Sequence, residues 1–432
     1  MINNFSQYPS YKDSGVEWLG EIPEHWDVLK IKRVFYEVKK RSNVSLNCGS
    51  ISFGKVVYKD DEKIPESTKK SYQVVLKGDF LVNPLNLNYD LISLRIALSE
   101  IDVVVSSGYI VLNNSVEIQK KYYKYFLHRF DVAFMKLLGS GVRQTLNWND
   151  IANCDLIFPP LPEQTAIAQY LDEKTALIDK AIDIKQKQIA LLKERRQVII
   201  QQAVTRGLDP NVKMKDSGVE WIGEIPEEWE VKRIKHVVEK AFSGGTPSTD
   251  KLDFWDGGIP WASSVDIKSE YLSTTTREIS ALGLKLSSAK IAPKGSILFV
   301  TRSGILQHTF AISISQIETT INQDLKCLIL NEILLPEYFQ IIVNGNNGRI
   351  LVEVRQQAAT VESIDMEAFY NLQIPLPKVN EQMVILEFCK KSRINIGTAI
   401  SLKEKEIEKL MEYRATLINS AVTGKIKVIT NE

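Results

Sequence analysis

From Leu171 onward, positions at alternating steps of four and three run Leu171, Thr175, Ile178, Ile182, Lys185, Ile189, Leu192, Arg196, Ile199 and Ala203. Seven of these ten are apolar, which is the seam of a coiled coil. Shifted by 218, the same positions read Cys389, Arg393, Ile396, Ile400, Lys403, Ile407, Leu410, Arg414, Leu417 and Ala421. The seam recurs and so do its basic interruptions, Lys185 with Lys403 and Arg196 with Arg414. No Pro or Gly lies between residues 165 and 205, and Gly397 is the one internal weak point of the second run, at about 1 kcal/mol relative to Ala. Each run predicts a helix of about 43 residues, roughly 65 Å long, more than a small neighbouring domain can bury. An exposed linker is one reading; the matching seams favour antiparallel pairing of the two helices, with the basic breaks meeting carboxylates or facing a further partner.

Ahead of each helix the pattern is shorter and mixed. Val74-Val75-Leu76, Val103-Val104-Val105, Tyr109-Ile110-Val111-Leu112 and Ile297-Leu298-Phe299-Val300 read as strands bounded by turn residues. Amphipathic helices are expected over Tyr122 to Leu138 and over Pro336 to Gln357, the latter broken at Asn344-Gly345-Asn346-Asn347-Gly348. The fold class is therefore α+β, mixed α/β.

The organisation is a duplication. Lys12 to Trp26 recurs as Lys215 to Trp229, shifted by 203, and only Leu19/Ile222 and His25/Glu228 differ. The later matches are shifted by 218: Glu163-Gln164 with Glu381-Gln382, Ile178 with Ile396, and Ala203-Val204-Thr205 with Ala421-Val422-Thr423. The second variable segment is thus 15 residues longer. The expected boundaries are a first globular domain over 1–160 with its acidic lead-in at 11–29, and a central long helix over 161–213. A second domain over 214–378 follows, with its lead-in at 214–230, then a distal long helix over 379–432. Like frames around unlike middles suggest one support presenting two different surfaces.

At 432 residues, with 44% hydrophobic and 25% charged, several soluble domains are expected. No apolar run reaches a membrane span, and Met1-Ile2-Asn3-Asn4 opens no charged leader, so a cytoplasmic protein without membrane contact is expected. Four scattered cysteines and four scattered histidines give neither a disulfide framework nor a zinc signature. The net charge of +1 conceals a gradient. Residues 1–29 hold one basic and five acidic side chains, residues 30–160 hold 19 and 13, and residues 231–378 hold 15 and 15. The first domain is basic behind an acidic lead-in; the second has no surplus.

Catalytic motifs fail on inspection. Gly15 and Gly20 have phosphate-loop spacing, but Glu21 stands where Lys is needed, and Gly218, Gly223 and Glu224 repeat the failure. Trp18, Trp26, Trp221 and Trp229 read as clamps for the lead-in. Asn83-Pro84-Leu85-Asn86 lacks the second proline and aromatic of an amino-methyltransferase motif and reads as a turn. Asp60-Asp61-Glu62-Lys63 reads as a charged loop rather than a nuclease site.

Three loops suit contact with nucleic acid. Ser243-Gly244-Gly245-Thr246 offers backbone and hydroxyl donors to phosphate. Arg302-Ser303 follows a strand, and Arg143-Gln144-Thr145 carries the side chains that make bidentate contacts to G and A. Asn83, Asn86 and Asn88 add amides. Each has an ordinary turn as its alternative. A scaffold that binds only proteins, or a nuclease with an unrecognised carboxylate site, also stays open on these residues.

The pattern resembles the specificity (S) subunit of type I restriction–modification systems. The resemblance rests on the duplicated lead-in, on Pro159-Pro160-Leu161-Pro162-Glu163-Gln164 and Leu376-Pro377 with Glu381-Gln382, and on the helix ends at Thr205-Arg206-Gly207 and Thr423-Gly424. Phe242 to Pro247 with Phe254 to Trp261 is similar to a recognition-domain signature, and the first variable segment has no such loop at the corresponding place. The resemblance implies two target recognition domains, each reading half of a split sequence in double-stranded DNA. The paired helices would set the spacer and dock two modification (methyltransferase) subunits, with restriction (translocase/endonuclease) subunits joining them. It implies no catalysis and no cofactor in this chain. S-adenosylmethionine, ATP and Mg²⁺ would belong to the partners.

Overall fold

The computed structural model describes residues 6–85, 94–135, 146–356 and 361–428. The chain divides into two compact units, one of residues 1–185 with 404–432 and the other of residues 186–403.

The first unit is built on a four-stranded antiparallel sheet. Its strands are β1 (Phe35–Glu37), β4 (Phe80–Val82), β5 (Ile96–Leu98) and β7 (Ile110–Asn114), in the order β1-β7-β4-β5. A second layer holds β2 (Gly49–Ser52), β3 (Gln73–Val75) and β6 (Val103–Val105), with β6 antiparallel to β3 and Cys48 bridged in parallel to Val104. The triple-valine strand is buried throughout, as a strand covered on both faces must be. Helix Lys120–Ala133 lays Tyr122, Phe126 and Phe130 into the core, and Trp18 packs on Phe126, Phe130 and Phe134. The expected end of this helix, Leu138, lies outside the described residues.

The second unit repeats the plan. Its strands are β8 (Val238–Phe242), β9 (Trp255–Ala262), β10 (Arg277–Ile279), β11 (Lys290–Ala292), β12 (Ile297–Val300), β13 (Ile312–Ser315), β14 (Thr319–Ile321) and β15 (Leu325–Leu330). The main sheet runs β8-β15-β12-β13 with Tyr271–Leu272 at its edge, and the second runs β10-β9-β14-β11. The expected helix is two, Pro336–Gly345 and Asn347–Val354, parted at Asn346.

Strand register locates the extra length. Phe35 opens β1 as Val238 opens β8, a shift of 203; Gln73 and Phe80 correspond to Lys290 and Ile297, a shift of 217. Most of the additional residues therefore lie between the first strand and the second-layer strand, in the stretch that holds Ser243 to Thr246.

The long helices run Leu161–Arg206 and Val379–Val422 and pack as an antiparallel coiled coil. In the first unit Lys185 Nζ lies 2.6 Å from Glu406, and Arg414 lies 3.3 Å from Asp179, so these two seam interruptions meet carboxylates. Leu171, Ile178, Ile400 and Leu417 are buried; Ile182, Ile189, Leu192, Ile199, Ile396, Ile407 and Leu410 are half-buried. The residues just before several of them, Leu177, Leu191 and Val198, are exposed, as a 3.5-residue repeat requires.

One side chain explains the recurrent Glu-Gln. Buried Gln164 accepts from the Gln119 N–H at 2.9 Å and donates to the Pro159 carbonyl at 2.8 Å. Gln382 accepts from Leu335 N–H at 2.9 Å and donates to the carbonyls of Ile333 and Pro377. Each glutamine thus ties its long helix to the start of its domain's own helix. The helix ends dock similarly: Tyr122 donates to Val422 O at 2.8 Å in one unit, and Tyr338 to Val204 O at 3.5 Å in the other. Gly424 and Gly207 turn left-handed at φ 73° and 72° against Pro23 and Trp26, and against Pro226 and Trp229.

Candidate nucleic-acid interface

Two of the loops singled out in the second domain converge. The turn Asn322-Gln323-Asp324, between β14 and β15, joins them. Gly244 N–H donates to Asn322 O at 3.2 Å, Thr246 Oγ1 donates to Gln323 Oε1 at 2.7 Å, and Thr301 N–H donates to Asp324 O at 2.8 Å. Ser303 N–H reaches Glu362 O, and Arg302 bridges to Ser363. The loops over 243–246, 301–303, 322–324 and 361–364 are therefore one surface. Thr246, Arg302 and Gln323 are exposed on it.

Its internal bonding changes the roles read from sequence. The amides of Gly244 and Gly245 are committed to Asn322 O and Ile321 O. Both glycines are there for close approach: a Cβ at Gly244 would stand 1.9 Å from Ile321 O, and one at Gly245 1.8 Å from Ser288 Oγ. Ser303 caps the short turn Gly304–Gln307 through its hydroxyl, and Ser243 is half-buried. Among the described residues, no hydrogen bond holds the Arg302 guanidinium.

Behind this loop lie two tryptophans of the Phe254 to Trp261 motif and one residue that sequence reasoning missed, Arg277. Trp255 Nε1 donates to Ser248 O and Trp261 Nε1 to Gly245 O, both at 3.1 Å. The two rings meet edge to face, 5.2 Å apart at 87°. Arg277, paired with Trp261 across β9 and β10, lays its guanidinium 3.6 Å above the Trp255 ring. The tryptophans were visible as a motif, but the partner arginine sits alone in a polar stretch with no spacing signal.

In the first domain, Leu146 N–H donates to Pro84 O as Ile364 N–H donates to Thr301 O. By that register Leu85 occupies the place of Arg302. Asn83 accepts from Leu85 N–H through Oδ1, which is the turn reading of that residue. A cleft of ≈ 330 Å³ beside Pro84 and Leu146 is lined by Glu37, Lys40, Asn147 and Asn149. Asn86, Asn88, Arg143, Gln144 and Thr145 lie outside the described residues.

The glycines of the lead-in are turn residues, with φ of 72°, 67°, 70° and 71° at Gly15, Gly20, Gly218 and Gly223. Trp26 and Trp229 are buried, and Trp26 Nε1 donates to Glu163, which also accepts from Tyr8 at 2.7 Å and pairs with His25 at 2.6 Å. Among the described residues no cluster of His, Cys, Asp or Glu could hold a metal ion, and no helix is long and apolar enough to cross a membrane.

The family of type I restriction modification DNA specificity domains matches this chain twice, over residues 23–194 and 226–410. The chain belongs to that family. It is 28% identical over 314 residues to the type I restriction enzyme EcoR124I/EcoR124II specificity subunit of Escherichia coli, covering 69% of this chain and 70% of that one. Over 435 residues it is 23% identical to the putative MjaX specificity subunit of Methanocaldococcus jannaschii, covering 95% and 96%. Among solved structures, an HsdS subunit from Thermoanaerobacter tengcongensis shares the fold at TM-score 0.54 and 15% identity, covering 94% of this chain and 98% of that one. A chain solved in work on assembly and conformational transition of a type I R-M system matches at TM-score 0.68 and 15% identity, covering 93% and 98%.

Proposed function

We propose that this chain is the non-catalytic specificity subunit of a type I restriction–modification complex, with each domain reading one half of a split DNA target. The observation that carries the reading is the contrast between frame and tip. Two domains share strand order and register, yet Arg302 at one tip is replaced by Leu85 at the other. Identical supports with different surfaces suit a reader of two unlike half-sites. The domains are taken as residues 1–160 and 214–378, with the long helices between and after them. Methyl transfer and ATP-driven cleavage, with S-adenosylmethionine, ATP and Mg²⁺, fall to the modification and restriction subunits. The outward face of the central helix supports docking of two modification subunits there: Leu177, Ile184, Leu191 and Val198 stand exposed at seven-residue intervals.

The helices would also set the unread spacer. Thr175 is a poor place to lengthen the central helix, because its hydroxyl is bonded to Leu171 O and contacts Tyr125. Four residues inserted instead at exposed Gln186-Lys187-Gln188 add about 6 Å of helix. Sequencing methylated adenines in cells carrying the intact system should show both half-sites retained and the spacer longer by roughly one or two base pairs, at the 3.4 Å step of each strand. An unchanged spacer overturns the ruler; absence of any split motif overturns the DNA reading.

A further inference from the structure

We propose that Arg277 is a specificity-determining residue that reads a guanine in the half-site of the second domain; this rests on the DNA-reading function proposed above. A guanidinium that discriminates bases must hold its planar donor fork still, since bidentate bonding to guanine O6 and N7 demands a fixed plane. Arg277 meets that requirement without using its donors. It is exposed, and among the described residues its guanidinium makes no ion pair or hydrogen bond, only cation–π contacts to Trp255 at 3.6 Å and Trp261 at 5.9 Å. The platform beneath is itself anchored. Trp255 and Trp261 are 7% and 6% exposed, and each indole N–H is bonded to a carbonyl of the 243–248 loop. Through Gly245 the platform is bonded to the loop that carries Thr246, which is bonded in turn to Gln323 beside the Arg302 loop. Among the described residues, Arg302 has no such brace.

The test is the methylation motif of the intact system in cells carrying Arg277→Lys or Arg277→Ala. Lysine keeps the positive charge and can cover Trp255, but it loses the fork. Expected is loss of preference for guanine at one position of one half-site, by about ten- to a hundredfold, in both variants. The other half-site and the spacer should stay as they are. An unchanged motif in both variants overturns the proposal and leaves the DNA reading standing. A uniform fall in methylation at all sites with Ala, restored by Lys, assigns Arg277 to phosphate and also overturns it. If the Ala variant fails to accumulate, the Lys variant decides. A wild-type system that leaves no split motif sinks the DNA reading, and this inference with it.

Discussion

Replacing Gln382 by Met isolates what the recurrent Glu-Gln does. Methionine fills about the same volume, but its thioether donates no hydrogen bond and accepts only weakly. It strands three backbone groups around a fully buried side chain: the Leu335 N–H and the carbonyls of Ile333 and Pro377. At about 1–3 kcal/mol for each orphaned group, and with some access of water to the Ile333 end, the loss should be about 3–5 kcal/mol. Gln164→Met strands two groups, the Gln119 N–H and the Pro159 carbonyl, and should cost about 1 kcal/mol less. Both values are large shares of the roughly 5–15 kcal/mol that holds a domain together. Hydrogen exchange followed by mass spectrometry separates the units. With Gln382→Met, peptides over 333–342 and 373–389 should exchange faster by two or more orders of magnitude, since 1.4 kcal/mol is about tenfold. Peptides over 74–82 and 103–112 should not change. Equal loss of protection in both units, or a change under about fivefold at 333–342, would refute the clamp.

Two further outcomes follow from local geometry. Gly424→Ala places a Cβ 2.4 Å from Pro23 Cδ and 3.0 Å from Trp26 at φ +73°, whereas Gly15→Ala at φ +72° meets open space. The second should cost about 1 kcal/mol and the first at least about 3 kcal/mol, read from urea midpoints of the full chain by tryptophan fluorescence. His128 is held down to about 4 by burial first, with Lys124 and Arg414 adding repulsion. The unfolded chain then binds the extra proton below its ordinary value near 6.5, so the stabilisation is complete above that pH and is lost as pH falls toward 4. The first unit should lose up to about 3 kcal/mol between pH 7 and 4, and His128→Gln should flatten that slope in thermal scans.

Periodicity and self-similarity make the frame legible in the sequence itself. The steps of four and three from Leu171 found the helix seams because a helix seam is a one-dimensional pattern. The valine run at 103–105 found its strand for the same reason. The loops were legible as places but not as roles. Thr246 and Arg302 are 56 residues apart in the chain, and their loops meet only because the turn at Asn322 to Asp324 carries β14 into β15 between them. Whether a glycine amide faces solvent or a neighbouring carbonyl depends on that meeting, so composition pointed to donors that the fold had already used. Arg277 went unread because its significance lies in the ring beneath it, 22 residues earlier in the chain.

The strand-register offset has an evolutionary consequence. Chain growth between β8 and β11 leaves β12, β13, β15, Gln382 and the helix ends in the relations they keep in the smaller domain. Insertions there enlarge the recognition surface without touching any residue that holds the chassis together. New binding preferences can therefore arise by lengthening or exchanging one stretch, while the machinery that must accept the subunit meets an unaltered part.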